Sequence, residues 1–169
     1  MGRTGKRITA IWATACLLVA CSEQADVGQF DQATAQAETH DVSGLAIVPV
    51  SIDANGTRHV FRAELADTPE AQARGLMYRT KLGPDEAMLF PSEAPTARAF
   101  WMKNTPIPLD IIFIGLDGRI TNIAAMTEPY SEEQVYSVGS ASAVLELAGG
   151  RAAELDIEPG DKVTWTSAR

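Results

Sequence analysis

The sequence predicts an α+β, predominantly β fold: a compact, partly closed antiparallel β-barrel-like domain with one or two short helices. Three observations predict it. Short apolar or alternating runs recur at close spacing from Leu45 onward. Two of the joins between them, Asp53-Ala54-Asn55-Gly56 and Leu116-Asp117-Gly118, carry hairpin turn chemistry. Helical start signals gather in one place, at Thr68. Many short strands with little helix between them argue an antiparallel sheet that curls on itself.

The elements follow in order. Leu45 to Asp53 is rich in β-branched residues and reads as the first strand. His59 to Ala66 alternates, with Val60, Arg62, Glu64 and Ala66 on one face and Phe61, Ala63 and Leu65 on the other. Thr68 then caps a helix with Pro69 at its first position, Glu70 in its first turn and Gly75 near its end, running to about Leu76. Met88 to Phe90 is a short strand, and Arg98 to Lys103 is another that ends at prolines. Leu109 to Gly115 and Arg119 to Met126 flank the second hairpin. Val135 to Val138 and Ala143 to Leu147 are shorter strands, and Gly149 to Ile157 is a short helix. The turn Glu158-Pro159-Gly160-Asp161 starts a last strand, Lys162 to Thr166.

The head of the chain reads as an address. Arg3, Lys6 and Arg7 are the only charges before Glu23. Ile8 to Ala20 is apolar apart from two threonines and Cys16. As a helix it would span about 20 Å, short of the ~30 Å hydrocarbon core. A basic start and a short apolar run read as a signal peptide over residues 1–20. Leu18-Val19-Ala20-Cys21 resembles a bacterial lipobox, which implies cleavage before Cys21 and lipidation of its thiol. The protein is then lipid-anchored in the bacterial cell envelope and faces the periplasm. With an unlipidated Cys21 it would be secreted or periplasmic instead. Residues 21–44 hold few large apolar side chains and read as a flexible tether, and 45–169 as a single β-rich globular domain.

Cysteine and charge narrow the chemistry. Cys16 leaves with the signal and Cys21 carries lipid, so no thiol remains for a disulfide, a metal or a nucleophile. Removing residues 1–20 takes away three basic and no acidic residues, leaving 11 basic against 22 acidic, a net of −11. Such a chain is not expected to bind nucleic acid. The histidines, His40 and His59, show no metal-ligand spacing. Gly149-Gly150 lacks the phosphate-loop pattern. No cofactor or metal is expected, and the protein reads as a monomer.

A set of motifs carries a family resemblance. Arg74-Gly75-Leu76-Met77-Tyr78-Arg79, Met88-Leu89-Phe90, the run from Phe100 to Ile114, Tyr136-Ser137, Val144 to Gly150 and Gly160-Asp161 occur in that order. Together they resemble the domain of unknown function 192 family. The resemblance implies a small β-rich α+β domain, often exported in bacteria, and implies no activity. Ala87 stands where the family usually has glycine. A positive φ there would cost about 1 kcal/mol.

The run from Phe100 to Asp110 mixes aromatic, cationic, amide, proline and acidic residues. Pro106 and Pro108 fix φ and should make the loop stiff. If Arg98 to Lys103 is a strand, Trp101 and Met102 face opposite ways, and Trp101 reads as a core anchor, with an exposed recognition ring as the alternative. Asp110, between Leu109 and Ile111, should be buried with Lys103, Arg74 or Arg79 as partner. The structural reading makes this a network that fixes the loop, in which Asp110→Ala strands a charge and costs ~3–5 kcal/mol. Arg74 and Arg79 suit either a planar anionic ligand or the carbonyls at a helix end. Glu146 should face away from Leu145 and Leu147, into solvent. Tyr130 and Tyr136 are candidates for a groove lining.

The reading that results is a non-catalytic module that binds an envelope polymer, a small ligand or a protein partner through Arg74, Arg79, Trp101, Lys103, Asn104 and Asp110. The alternative is an acid–base hydrolase or transferase acting on an envelope polymer. It requires a cleft holding two carboxylates, or a carboxylate with Lys103, within ~5–10 Å. An assembly role would show instead as an exposed apolar patch.

Overall fold

In the computed structural model, which describes residues 1–2 and 38–166, seven strands form one sheet that curls into a half barrel. The predicted signal peptide, Cys21 and most of the tether lie outside the described residues. The elements are β1 (Ile47–Ala54), β2 (Thr57–Leu65), α1 (Pro69–Arg74), β3 (Glu86–Thr96), β4 (Ala99–Phe100), β5 (Leu109–Gly115), β6 (Ile120–Ala124), β7 (Val135–Tyr136), β8 (Ala141–Ala148), α2 (Arg151–Glu154) and β9 (Lys162–Trp165). The strand order is β6-β5-β8-β3-β2-β1-β9, and β4 pairs with β7 apart from it. Every pair is antiparallel except β2 with β3, which α1 connects.

Local chemistry sets the joins. Asn55 and Gly56 both have positive φ, 48° and 77°, which suits a tight two-residue hairpin with a right-handed twist. Thr68 accepts a hydrogen bond from the Ala71 amide at 3.2 Å and caps α1, which Gly75 ends with φ 50°. β3 runs on past Phe90, where the sequence pattern ends, because its register shifts between Pro91 and Thr96 and so tolerates the prolines. The two sheet edges approach each other: Val163 donates to Gly118, Ile120 to Asp161 and Gly160 to Ile120.

Both faces of the central strands are covered. Ala87, Leu89, Ile112, Ile114, Leu145 and Leu147 belong to one buried cluster. Met88, Phe90, Ile111, Phe113 and Val144 alternate with them and belong to a second, which Met102, Leu76 and Phe100 complete. Ala87 lies inside β3 opposite Ala63 and Leu147, without the positive φ that would strain it.

Two readings are corrected. Arg98 to Lys103 is strand only at Ala99–Phe100, because Met102 donates to Ser131 and accepts from Thr105, turning the chain. Trp101 is therefore no core anchor: it is 42 % exposed while Met102 is 2 % exposed. Phe100 does the packing, edge-on to Phe90 at 5.0 Å and to Phe113 at 6.2 Å. Residues 38–44, read as the tether's end, fold onto the sheet: Ile47 donates to Glu38 and His40 to Leu45.

Candidate functional site

The second core is incomplete where α1, β4 and the loop after Phe100 cover β8. There they leave a cleft of about 350 Å³ lined by Arg74, Phe90, Arg98, Trp101, Lys103 and Glu146, among others.

Glu146 is at the wall of this cleft and corrects the solvated reading. It does face away from Leu145 and Leu147, as alternation requires. That face is the second core rather than solvent: its neighbours across the ladder are Met88 of β3 and Ile111 of β5, both buried. Glu146 is 4 % exposed, and its Oε2 has no hydrogen-bond partner among the described residues. Burial pushes its carboxyl up to about 8, so it is mainly protonated at neutral pH. An unmet buried polar group costs ~1–3 kcal/mol. The fold carries that cost at the wall of the cleft.

The cations of the cleft have no such acid to meet. Arg74, Arg98 and Lys103 line it, and among the described residues none of them forms an ion pair with a carboxylate. Arg98 donates to Ser92 Oγ at 2.9 Å and Gln72 Oε1 at 3.2 Å, and its guanidinium is 5.4 Å from the centre of the Phe100 ring. Burial holds that guanidinium below its ordinary value. Lys103 Nζ is 4.9 Å from the centre of the exposed Trp101 ring.

The loop is braced from several sides. The Asn104 carbonyl accepts from the Tyr78 amide at 2.7 Å, and the Thr105 carbonyl from the Tyr130 amide at 3.1 Å. Asn104, Tyr78 and Tyr130 all have positive φ, 55°, 65° and 63°. Strain of this kind costs on the order of 1–3 kcal/mol per residue and persists where surroundings over-determine it. Among the described residues, Asn104 Nδ2 reaches only Met77 Sδ, at 3.8 Å.

Two candidates have other employment. Asp110 is fully buried, but its partners are backbone amides rather than Lys103, Arg74 or Arg79. Oδ1 accepts from Met126 at 2.8 Å and Gly150 at 2.9 Å, and Oδ2 from Ala152 at 2.8 Å. The carboxylate thus ties the start of α2 to the turn after β6, and among the described residues no cation would be stranded by its removal. Arg79 neither binds the cleft nor caps α1: its Nη2 donates to both oxygens of buried Glu64, at 2.7 and 2.6 Å, and lies 3.3 Å from His40 Nδ1. Tyr130 and Tyr136 are exposed and line no part of the cleft.

Sequence reasoning missed Arg98, Phe90 and Phe100 as lining and the burial of Glu146. One signal was present. Val144, two residues before Glu146, is apolar on the same face, as a strand covered on both sides requires.

A family model described as DUF192, Uncharacterized ACR, matches residues 50–165. Among solved structures, the chain is similar to a protein of unknown function from Novosphingobium aromaticivorans DSM 12444, with 55 % identity and a TM-score of 0.75 over 78 % of this chain and 94 % of that one. It is also similar to a putative transcription regulator from Sinorhizobium meliloti 1021, with 37 % identity and a TM-score of 0.69 over 72 % of this chain and 95 % of that one. No curated protein matches.

Proposed function

The chain belongs to the DUF192 family, and from that premise we propose that it is a cell-envelope module, lipid-anchored through Cys21, that binds a ligand without catalysing a reaction. The binding site is the cleft beside Trp101 and Lys103. One observation carries this reading: an unpartnered buried acid and three cations without acidic partners line the same cleft. A buried acid without a hydrogen-bond partner and cations without acidic partners, converging on a cavity, are groups that a ligand can engage. The basic first residues and the Leu18-Val19-Ala20-Cys21 segment support the envelope address. The −11 charge left after residues 1–20 disfavours nucleic-acid binding, so the transcriptional role ascribed to the Sinorhizobium relative is not carried over to this chain.

The enzymatic alternative retains one supporting observation, that Glu146 and Lys103 line the same cleft. It lacks the second carboxylate, because Asp110 is held by backbone amides.

The test is to purify the native protein from membranes, as wild type and as Lys103→Ala, and to identify what travels with each. A companion lost in Lys103→Ala at unchanged melting temperature supports a binding surface. A collapsed melting temperature makes the loop scaffold and sinks the reading. A Cys21→Ala protein that still partitions with membranes removes the lipid anchor.

A further inference from the structure

The polarity of the cleft indicates which ligands it takes. Its acid and its cations differ in burial. Glu146 is on the covered wall, against Met88 and Ile111. Arg74 is on the exposed end of α1, and Lys103 is half-buried against the outward-facing Trp101. Phe90 and Phe100 supply apolar wall in the same cleft. The charged side chains lining the cleft with Glu146 are Arg74, Arg98 and Lys103, and the strands on either side present only Met88 and Ile111. No cation in the cleft offsets the effect of burial on the Glu146 carboxyl, whose shift has desolvation as its one cause.

A ligand cation would share the cleft with three positive groups. An anion would meet the same groups as partners. At the wall, a neutral carboxyl offers one O–H donor and asks for an acceptor. Building on the reading of the cleft as a binding site, we infer that it takes a small organic anion of amphipathic shape. The acid group sits on Arg74 and Lys103, the apolar or flat body lies between Phe100 and Trp101, and a carbonyl or hydroxyl oxygen at the far end accepts a hydrogen bond from Glu146.

The experiment uses the full chain in detergent micelles and isothermal titration calorimetry. The probe is 4-acetylbenzoate, which has a carboxylate, a flat ring and a distal carbonyl. The controls are 4-ethylbenzoate, without the carbonyl, and 4-acetylbenzylamine, with the opposite charge. The expected result is 4-acetylbenzoate bound at least about tenfold more tightly than either control, near 1.4 kcal/mol of discrimination for each. Glu146→Leu should erase the preference over 4-ethylbenzoate. Glu146→Gln, which keeps a donor, should retain the preference and abolish the loss of binding that the wild type shows as pH rises through about 8. Arg74→Ala and Lys103→Ala should each weaken both benzoates. Equal or tighter binding of the amine would overturn the anion assignment and leave the cleft as a site. Binding heats that are the same in the wild type, Glu146→Leu and Lys103→Ala would overturn both the assignment and the cleft.

Discussion

Gly149 lies flat against Pro108. A Cβ on Gly149 would come within 2.8 Å of the Pro108 Cβ, and the Gly149 amide donates to the Pro108 carbonyl at 3.0 Å. The glycine is thus selected by contact rather than by a left-handed backbone. It presses the end of β8 onto the second proline of the loop beside the cleft.

Gly149→Ala should therefore destabilise by ~1–3 kcal/mol through overpacking. Urea unfolding followed by circular dichroism would measure it. The shift should appear in the midpoint, with the slope unchanged.

Asp110 makes a sharper test. Asn at this position keeps one oxygen for Met126 and Gly150 but turns an amide donor toward the Ala152 N–H. Asp110→Asn should cost ~1–3 kcal/mol from that single clash of donors, and Asp110→Ala more, because it leaves three amides unmet. Hydrogen exchange at Ala152 should rise in both variants, while exchange in β1 and β2 stays slow.

Glu64 and Arg79 form a largely buried ion pair, with Glu64 2 % exposed. Arg79→Ala should cost ~3–5 kcal/mol by removing the guanidinium from the buried Glu64 carboxylate, which keeps His40 Nε2 at 3.6 Å from its Oε1. Arg79→Met with Glu64→Leu should recover most of it. Thermal unfolding of the two variants checks this, and an Arg79→Ala protein as stable as wild type would contradict the packing described.

Glu146 sets a pH dependence of opposite sign to the usual carboxylate. Its folded value of about 8 lies above its ordinary value of 4.5. The native state therefore binds the extra proton between these limits. Stability should be highest below about pH 4.5 as far as this group is concerned, should fall as pH rises toward 8, and should level off beyond. The change is on the order of a few kcal/mol. Glu146→Gln should flatten that slope, and Glu146→Leu should make the protein more stable than wild type above about pH 8 while impairing the cleft. Chemical denaturation at a series of pH values from about 5 to about 9, spanning the titration of this carboxyl, reads both.

The strands were legible because alternation and turn residues are local signals. Phe61, Ala63 and Leu65 share one buried cluster as their spacing required, and Asn55-Gly56 makes the turn it announces. The surroundings of Glu146 were not legible, because a period of two tells which residues share a face but not what covers that face. The partners of Asp110 were hidden for a related reason. Sequence shows cations as side chains, whereas backbone amides gathered at the start of a four-residue helix leave no mark on residue type. Trp101 and Met102 exchanged the expected roles because a turn at Met102 ended the strand sooner than the prolines suggested.

A sheet this long would ordinarily leave two borders of unmet amides and carbonyls. Here the borders are stitched to each other near Gly118 and Asp161. A neighbouring copy of the molecule finds little free ladder to extend at that seam, so crowding should not seed strand-by-strand growth from it.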